Sequence, residues 1–336
     1  MERKNIDWGN LGFNYVQTDK RFVANYKNGA WDKGCLTEDA TVAISECACV
    51  LQYAQACFEG LKAYTTEDGR IVCFRPDLNA ARMADSCRRM KMPVFPEDKF
   101  VEAVVETVRA NAQWVPPYGS GATLYLRPFM FGSDAIIGVK PANEFQFRIF
   151  ATPVGPYFKG GAKSVTLRIC DYDRAAPRGT GHIKAGLNYA MSLYAIVDAH
   201  EQGYDENLYV DSATRTHIEE TGGANIIFIQ GNKLVTPKSD TILPSITRRS
   251  LLYVAREYLG MEVEERPVAL SEIGEFEEAG LCGTAAVISP VGKIVDHGRE
   301  ITYAGMGKTI QKLYDTLTGI QMGRLPAPEG WIQVIE

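Results

Sequence analysis

Apolar and polar positions along the chain fall into segments of two periods. Residues 41–51, Thr-Val-Ala-Ile-Ser-Glu-Cys-Ala-Cys-Val-Leu, partly alternate and predict a strand. After Phe58-Glu59-Gly60, the runs Ala63-Tyr64 and Ile71-Val72-Cys73-Phe74 flank the polar turn Glu67-Asp68-Gly69, which predicts a hairpin. Apolar residues at 80, 83 and 84 predict a helix over 78–90. Val101, Val104, Val105 and Val108 predict a second over 100–111, stopped by Pro116-Pro117-Tyr118-Gly119. Two strong strands follow, 122–130 and 145–152. The run Pro153-Val154-Gly155-Pro156-Tyr157-Phe158-Lys159-Gly160-Gly161 then reads as a domain boundary.

The second half opens with a strand over 165–170 and an Arg-rich loop ending in Gly181-His182-Ile183-Lys184. A helix over 188–201 carries apolar residues at 190, 193, 194 and 197 and ends before Gly203. A strand over 207–211 and a hairpin-like unit of 217–220 and 224–229, with a Gly231-Asn232 turn, lead to a helix that Pro244-Ser245 opens and Gly260 closes. No repeat of fixed period is present.

Composition narrows the possibilities. The 336 residues, 46% hydrophobic and 23% charged, suffice for two domains with substantial cores. A net charge of −5 without a basic tract disfavours nucleic acid and anionic lipid and favours small-molecule partners. The polar start Met-Glu-Arg-Lys-Asn-Ile-Asp-Trp has no signal-peptide core, and apolar runs such as Ile226-Ile227-Phe228-Ile229 are too short to cross a bilayer. A soluble, cytoplasmic protein is expected. Eight cysteines without C-x-x-C spacing and only four histidines offer little for a metal site, so reduced and mostly buried thiols are expected.

Four features could carry chemistry. Lys184 lies between Gly181 and Gly186 beside Ile183, where desolvation and an open backbone suit a lysine nucleophile; on these residues alone an exposed loop lysine is the simpler reading. Glu219-Glu220 precedes an apolar strand, so one of the two should point inward, where a carboxylate needs a cation or a protonated donor. Pro244-Ser245-Ile246-Thr247 starts a helix, Gly283-Thr284-Ala285-Ala286 is a small-residue turn, and Arg82 adds positive charge, a combination suited to an anion. Arg127 interrupts the apolar run Leu124-Tyr125-Leu126-Arg127-Pro128, either as an ion-paired structural arginine or as a binding group.

Taken in order, these pieces resemble the branched-chain amino-acid aminotransferases, class IV (fold type IV) enzymes that use pyridoxal 5′-phosphate. The resemblance runs from about Phe13 to Val291. It rests on Leu51-Gln52-Tyr53 with Phe58-Glu59-Gly60, Phe74-Arg75-Pro76 with Asn79 and Arg82-Met83, and Tyr125-Leu126-Arg127-Pro128. It continues through Lys184-Ala185-Gly186-Leu187-Asn188-Tyr189, Glu220 to Asn225, Ile242-Leu243-Pro244 and Gly283-Thr284-Ala285.

The resemblance implies a two-domain α/β (α+β) fold: a small N-terminal α+β domain over 1–156, a linker over 157–164 and a larger cofactor-binding domain over 165–336, with the cofactor at the domain interface. It implies that Lys184 is the Schiff-base lysine and proton shuttle, that Glu220 meets the pyridine nitrogen and that Tyr189 meets the phenolic oxygen. Arg82, the amides of Ile246 and Thr247, and Thr284 would hold the phosphate. Tyr125, Arg127, Thr284 and Ala285 match the substrate-carboxylate region, and Phe13, Tyr53, Phe58 and Tyr157 the side-chain pocket. Ile137 and Val139 match residues lent across a homodimer interface. Leucine, isoleucine and valine would be the donors and 2-oxoglutarate the acceptor, in a ping-pong cycle. The related D-amino-acid aminotransferases and aminodeoxychorismate lyases share the superfamily, and a noncatalytic cofactor-binding protein is the alternative of another class. Two departures stand out. Ala286-Val287-Ile288-Ser289 lacks the C-x-x-C pair of vertebrate members, and Gly223 stands where some members have a hydroxyl residue.

Overall fold

A computed structural model describes residues 2–155 and 163–335. The chain forms two compact units. The first holds the chain up to the undescribed stretch together with residues 183–187 and the segment from 320 onward; the second holds 163–182 and 188–319. The linear division into 1–156, 157–164 and 165–336 therefore needs correction at two segments. Ala185 bridges to Cys57, and the strand Ile332–Val334 pairs antiparallel with Ile71–Phe74, so backbone hydrogen bonds tie both segments into the first unit. Most of the expected linker, 157–162, lies outside the described residues.

The first unit is built on a nine-stranded antiparallel sheet. At its centre Thr123–Gly132 and Phe145–Val154 pair over their full length, from Thr123 opposite Val154 to Gly132 opposite Phe145. Alternation decides what each face carries. Leu124, Leu126 and Met130 enter the core, whereas Tyr125 and Arg127 take the opposite face. Helices Pro76–Arg89 and Glu97–Ala110 supply Ala80, Met83 and Cys87, and Phe100, Ala103, Val104 and Val108, to the same core. Each large apolar side chain buried there contributes roughly 1.5–3 kcal/mol. The strand expected over 41–51 does not form. The partial alternation has no buried face to serve, with Val42 37% and Leu51 60% exposed, and the chain turns instead into the short helix Cys49–Tyr53.

The second unit has a ten-stranded mixed sheet in which Val165–Ile169 runs parallel to both Glu206–Val210 and Val287–Asp296. Leu167, Leu208, Ile226, Phe228, Val235 and Val291 form its core. The expected pairing of 217–220 with 224–229 is instead a corner, whereas the expected Gly231-Asn232 turn joins Asn225–Gln230 to Lys233–Pro237 as a hairpin. His217–Thr221 pairs with Glu206–Val210, while Asn225–Gln230 pairs with Lys233–Pro237 and Glu278–Gly283. A single turn, Thr221 N–H to the Ala224 carbonyl at 2.9 Å, links the two.

Helix Gly186–Glu201 also differs from expectation. Its buried face is Asn188, Ser192, Ala195 and Ala199, while Leu193, Tyr194 and Val197 are 62%, 67% and 53% exposed. The cause is polar: Asn188 Nδ2 donates to the Thr180 carbonyl and Asn207 Nδ2 to the Ala195 carbonyl, contacts that need small neighbours. The eight thiols are free, six of them buried.

Candidate active site

Lys184 sits in the short segment that joins the first unit. Its carbonyl accepts from Phe58 N–H at 3.0 Å and its N–H donates to Ser86 Oγ at 3.1 Å. Its amine lies 4.8 Å from the centre of the Phe58 ring. The two nearby glycines differ in what they leave room for. A Cβ on Gly181 would come within 2.2 Å of the Thr241 carbonyl oxygen, whereas one on Gly186 would meet nothing within 4 Å.

Arg82 is buried on helix Pro76–Arg89, where its guanidinium grips Glu59 through Nε to Oε1 at 2.8 Å and Nη2 to Oε2 at 2.7 Å. Glu59 is wholly buried and also accepts from Asn79 Nδ2 at 2.7 Å. A buried carboxylate survives only when paired in this way, and the bidentate fork fixes the direction of the arginine. Sequence reasoning missed Glu59 as a functional residue. The available signal was a lone acid beside an apolar strand, with Asn79 and Arg82 three residues apart on one helical face.

On the outer face of the central strands, Arg127 Nη2 donates to Tyr125 Oη at 3.2 Å, and its guanidinium lies 4.8 Å from the Phe58 ring centre. Among the described residues no carboxylate pairs with it, so the ion-paired structural reading does not hold. Phe13 meets Tyr125 edge-on at 5.6 Å. Gly60 is required here, because a Cβ would come within 2.2 Å of Tyr125 Oη. Tyr53 Oη donates to the Ile137 carbonyl, and Ile137 and Val139 are 77% and 87% exposed. Tyr157 lies outside the described residues.

In the second unit both acids of the Glu219-Glu220 pair are buried, not one, because the strand is covered on both faces. Ser239 and Thr241 hydroxyls serve Glu219. Glu220 accepts from Leu243 N–H at 2.8 Å and Asn225 Nδ2 at 2.5 Å, and pairs with Arg174 at 2.7 Å. Burial nevertheless pushes Glu220 up to about 7, against the pull of Arg174 and the Leu243 amide. Arg174, also missed in the sequence, is held by the Gly181 and Thr241 carbonyls. Asn225 Oδ1 is buried with no hydrogen-bond partner among the described residues.

Ser245 caps helix Ile246–Glu257 by accepting from Arg248 N–H at 3.1 Å, and the first-turn amides of Ile246 and Thr247 have no carbonyl four residues back within the helix. Thr284 and Ala285 occupy the turn between Glu278–Gly283 and Val287–Asp296. Val287 there takes φ 65°, a region that a β-branched residue rarely adopts. Tyr189 is half-buried in the first turn of helix Gly186–Glu201.

Within their own units, Glu220, Arg82 and Lys184 are each fixed by hydrogen bonds or ion pairs to buried groups. The family model described as amino-transferase class IV matches residues 56–294, and the chain belongs to that family. It is 52% identical to the branched-chain-amino-acid aminotransferase of Haemophilus influenzae over 99% of this chain and 100% of that protein. It is 48% identical to that of Helicobacter pylori over 98% of each. The crystal structure of the Escherichia coli branched-chain amino acid aminotransferase superposes with a TM-score of 0.81 at 26% identity, covering 95% of this chain and all of that one. A Thermobaculum terrenum enzyme of the same name, in its PLP form, gives 0.79 at 26% identity, covering 95% of this chain and 99% of that one.

Proposed function

We propose that the chain is a pyridoxal-phosphate-dependent transaminase of leucine, isoleucine and valine, with 2-oxoglutarate as acceptor. The observation that carries this reading is full-length identity of about half to two branched-chain-amino-acid aminotransferases, in a chain that carries Lys184 and Glu220. The residues present fit the cofactor. Glu220 is a buried carboxylate gripped by three donors and suited to a protonated ring nitrogen.

When bound, the cofactor supplies an aldehyde that condenses with amines and a ring that accepts electrons. Lys184 is the amine that would hold it, and the same amine would serve as the base that moves a proton at substrate Cα. Glu220 would keep the ring nitrogen protonated, Tyr189 would donate to the phenolic oxygen, and Arg82, the Ile246 and Thr247 amides and Thr284 would hold the phosphate. Tyr125, Arg127, Thr284 and Ala285 would orient substrate carboxylates, and Phe13, Tyr53 and Phe58 would meet the apolar side chain of the substrate.

A second copy of the chain is part of the working enzyme. Ile137 and Val139, almost fully exposed in one copy, reach into the partner's pocket, which supports a homodimer. Among the described residues no helix is long and apolar enough to cross a membrane; a cytoplasmic location accords with the acidic charge. The test is a set of single-turnover half-reactions. L-leucine should bleach the cofactor's visible band, and D-alanine and aminodeoxychorismate should not. Equal or faster bleaching by D-alanine would overturn the assignment.

A further inference from the structure

The contacts around Lys184 close on themselves. Lys184 N–H donates to Ser86 Oγ at 3.1 Å, and Ser86 Oγ donates to the Arg82 carbonyl at 3.1 Å. The Arg82 guanidinium grips Glu59, and Glu59 is peptide-bonded to Phe58, whose N–H donates back to the Lys184 carbonyl at 3.0 Å. Every member lies in the first unit. The polarity of the hydroxyl is fixed, since an amide N–H can only donate and a carbonyl can only accept. Ser86 is wholly buried and joins the backbone of the lysine to the helical turn that carries the arginine.

We propose that Ser86 is a positioning residue that sets the lysine amine relative to the Arg82 guanidinium, and thereby matches the spacing of the cofactor's aldehyde and phosphate. The proposal rests on the reading of Lys184 and Arg82 given above. Alanine is a better helix former than serine, so Ser86→Ala should fold and should lose the tether alone. One hydrogen bond of about 1.4 kcal/mol corresponds to about tenfold in an equilibrium constant.

The experiment titrates the cofactor-free protein with pyridoxal phosphate and follows the visible band, alongside melting of the cofactor-free form. Ser86→Ala should raise the Kd for the cofactor about tenfold and slow growth of the band, with melting within a few degrees of wild type. Ser86→Thr, which keeps the hydroxyl, should return the Kd to within about threefold. Thr107→Val is the structural control. Thr107 is an equally buried hydroxyl that donates to the carbonyl four residues back, Ala103 at 2.7 Å, in helix Glu97–Ala110. It should lower melting and leave the Kd unchanged. A wild-type Kd in Ser86→Ala, or a rise matched by Thr107→Val, would overturn the proposal. Lys184→Ala, run in parallel, should show no covalent band. A band there would refute the reading of Lys184 itself, an outcome distinct from failure of Ser86.

Discussion

Arg127 faces a problem peculiar to this reaction: one pocket must take a branched apolar side chain and, in the other half-reaction, a charged one. Held between Tyr125 Oη and the Phe58 ring without a carboxylate partner among the described residues, its guanidinium suits the second carboxylate of 2-oxoglutarate. A charge-assisted hydrogen bond of about 1.5–3 kcal/mol corresponds to roughly 10- to 150-fold. Arg127→Leu should lower kcat/KM for 2-oxoglutarate by that factor and affect the leucine half-reaction much less. Parallel loss in both would place Arg127 at the shared α-carboxylate. Glu220 supports a second prediction. Its folded-state value near 7 lies above the ordinary 4.5, so between these values the folded protein binds a proton that the unfolded chain has released. The cofactor-free protein should therefore lose stability as pH rises from about 4.5 to about 7, by roughly a few kcal/mol at most. Glu220→Gln should flatten that slope in urea unfolding curves and also lower turnover far more than Glu219→Gln.

Single elements show which parts of the structure were written locally. Helix Pro76–Arg89 was legible because Ala80, Met83 and Ala84 face a core adjacent to it, so its period and its burial agree. Helix Gly186–Glu201 misled for the opposite reason, since Asn188 and Ser192 occupy the buried stripe and the apolar side chains face out. The corner between His217–Thr221 and Asn225–Gln230 was hidden because the two strands take different partners, and one of them, Glu278–Gly283, lies far along the chain. The candidate site divides similarly. Lys184, Glu220 and Arg127 stood out by residue type, whereas Glu59, Ser86 and Arg174 matter through partners that only folding brings near. The strand start at Gly60 yields a prediction at this scale. Gly60→Ala would drive a methyl into Tyr125 Oη and displace the residue on which Arg127 rests. KM for 2-oxoglutarate should rise at least threefold while the melting temperature falls by only a few degrees, as steady-state kinetics and calorimetry would show. Unchanged kinetics would mean that the ring moves aside without consequence.

For the whole molecule, the outward Leu193, Tyr194 and Val197 and the protruding Ile137 and Val139 leave much apolar surface in water. If a second copy covers the Ile137 loop, Ile137→Asp with Val139→Asp should lower the mass seen by analytical ultracentrifugation toward that of one chain and reduce turnover at low protein concentration. Unchanged mass and turnover would remove that loop from the interface. The pairing of Ile332–Val334 with Ile71–Phe74 has a different consequence, one of timing. Val72 leaves the ribosome roughly 260 residues before Val334, its partner in the sheet. At about 5–20 residues per second, the strand Ile71–Phe74 waits on the order of 10–50 s with one edge unpaired. During synthesis the first unit is thus the last to be finished, and its open edge is where a nascent chain most needs protection from its neighbours.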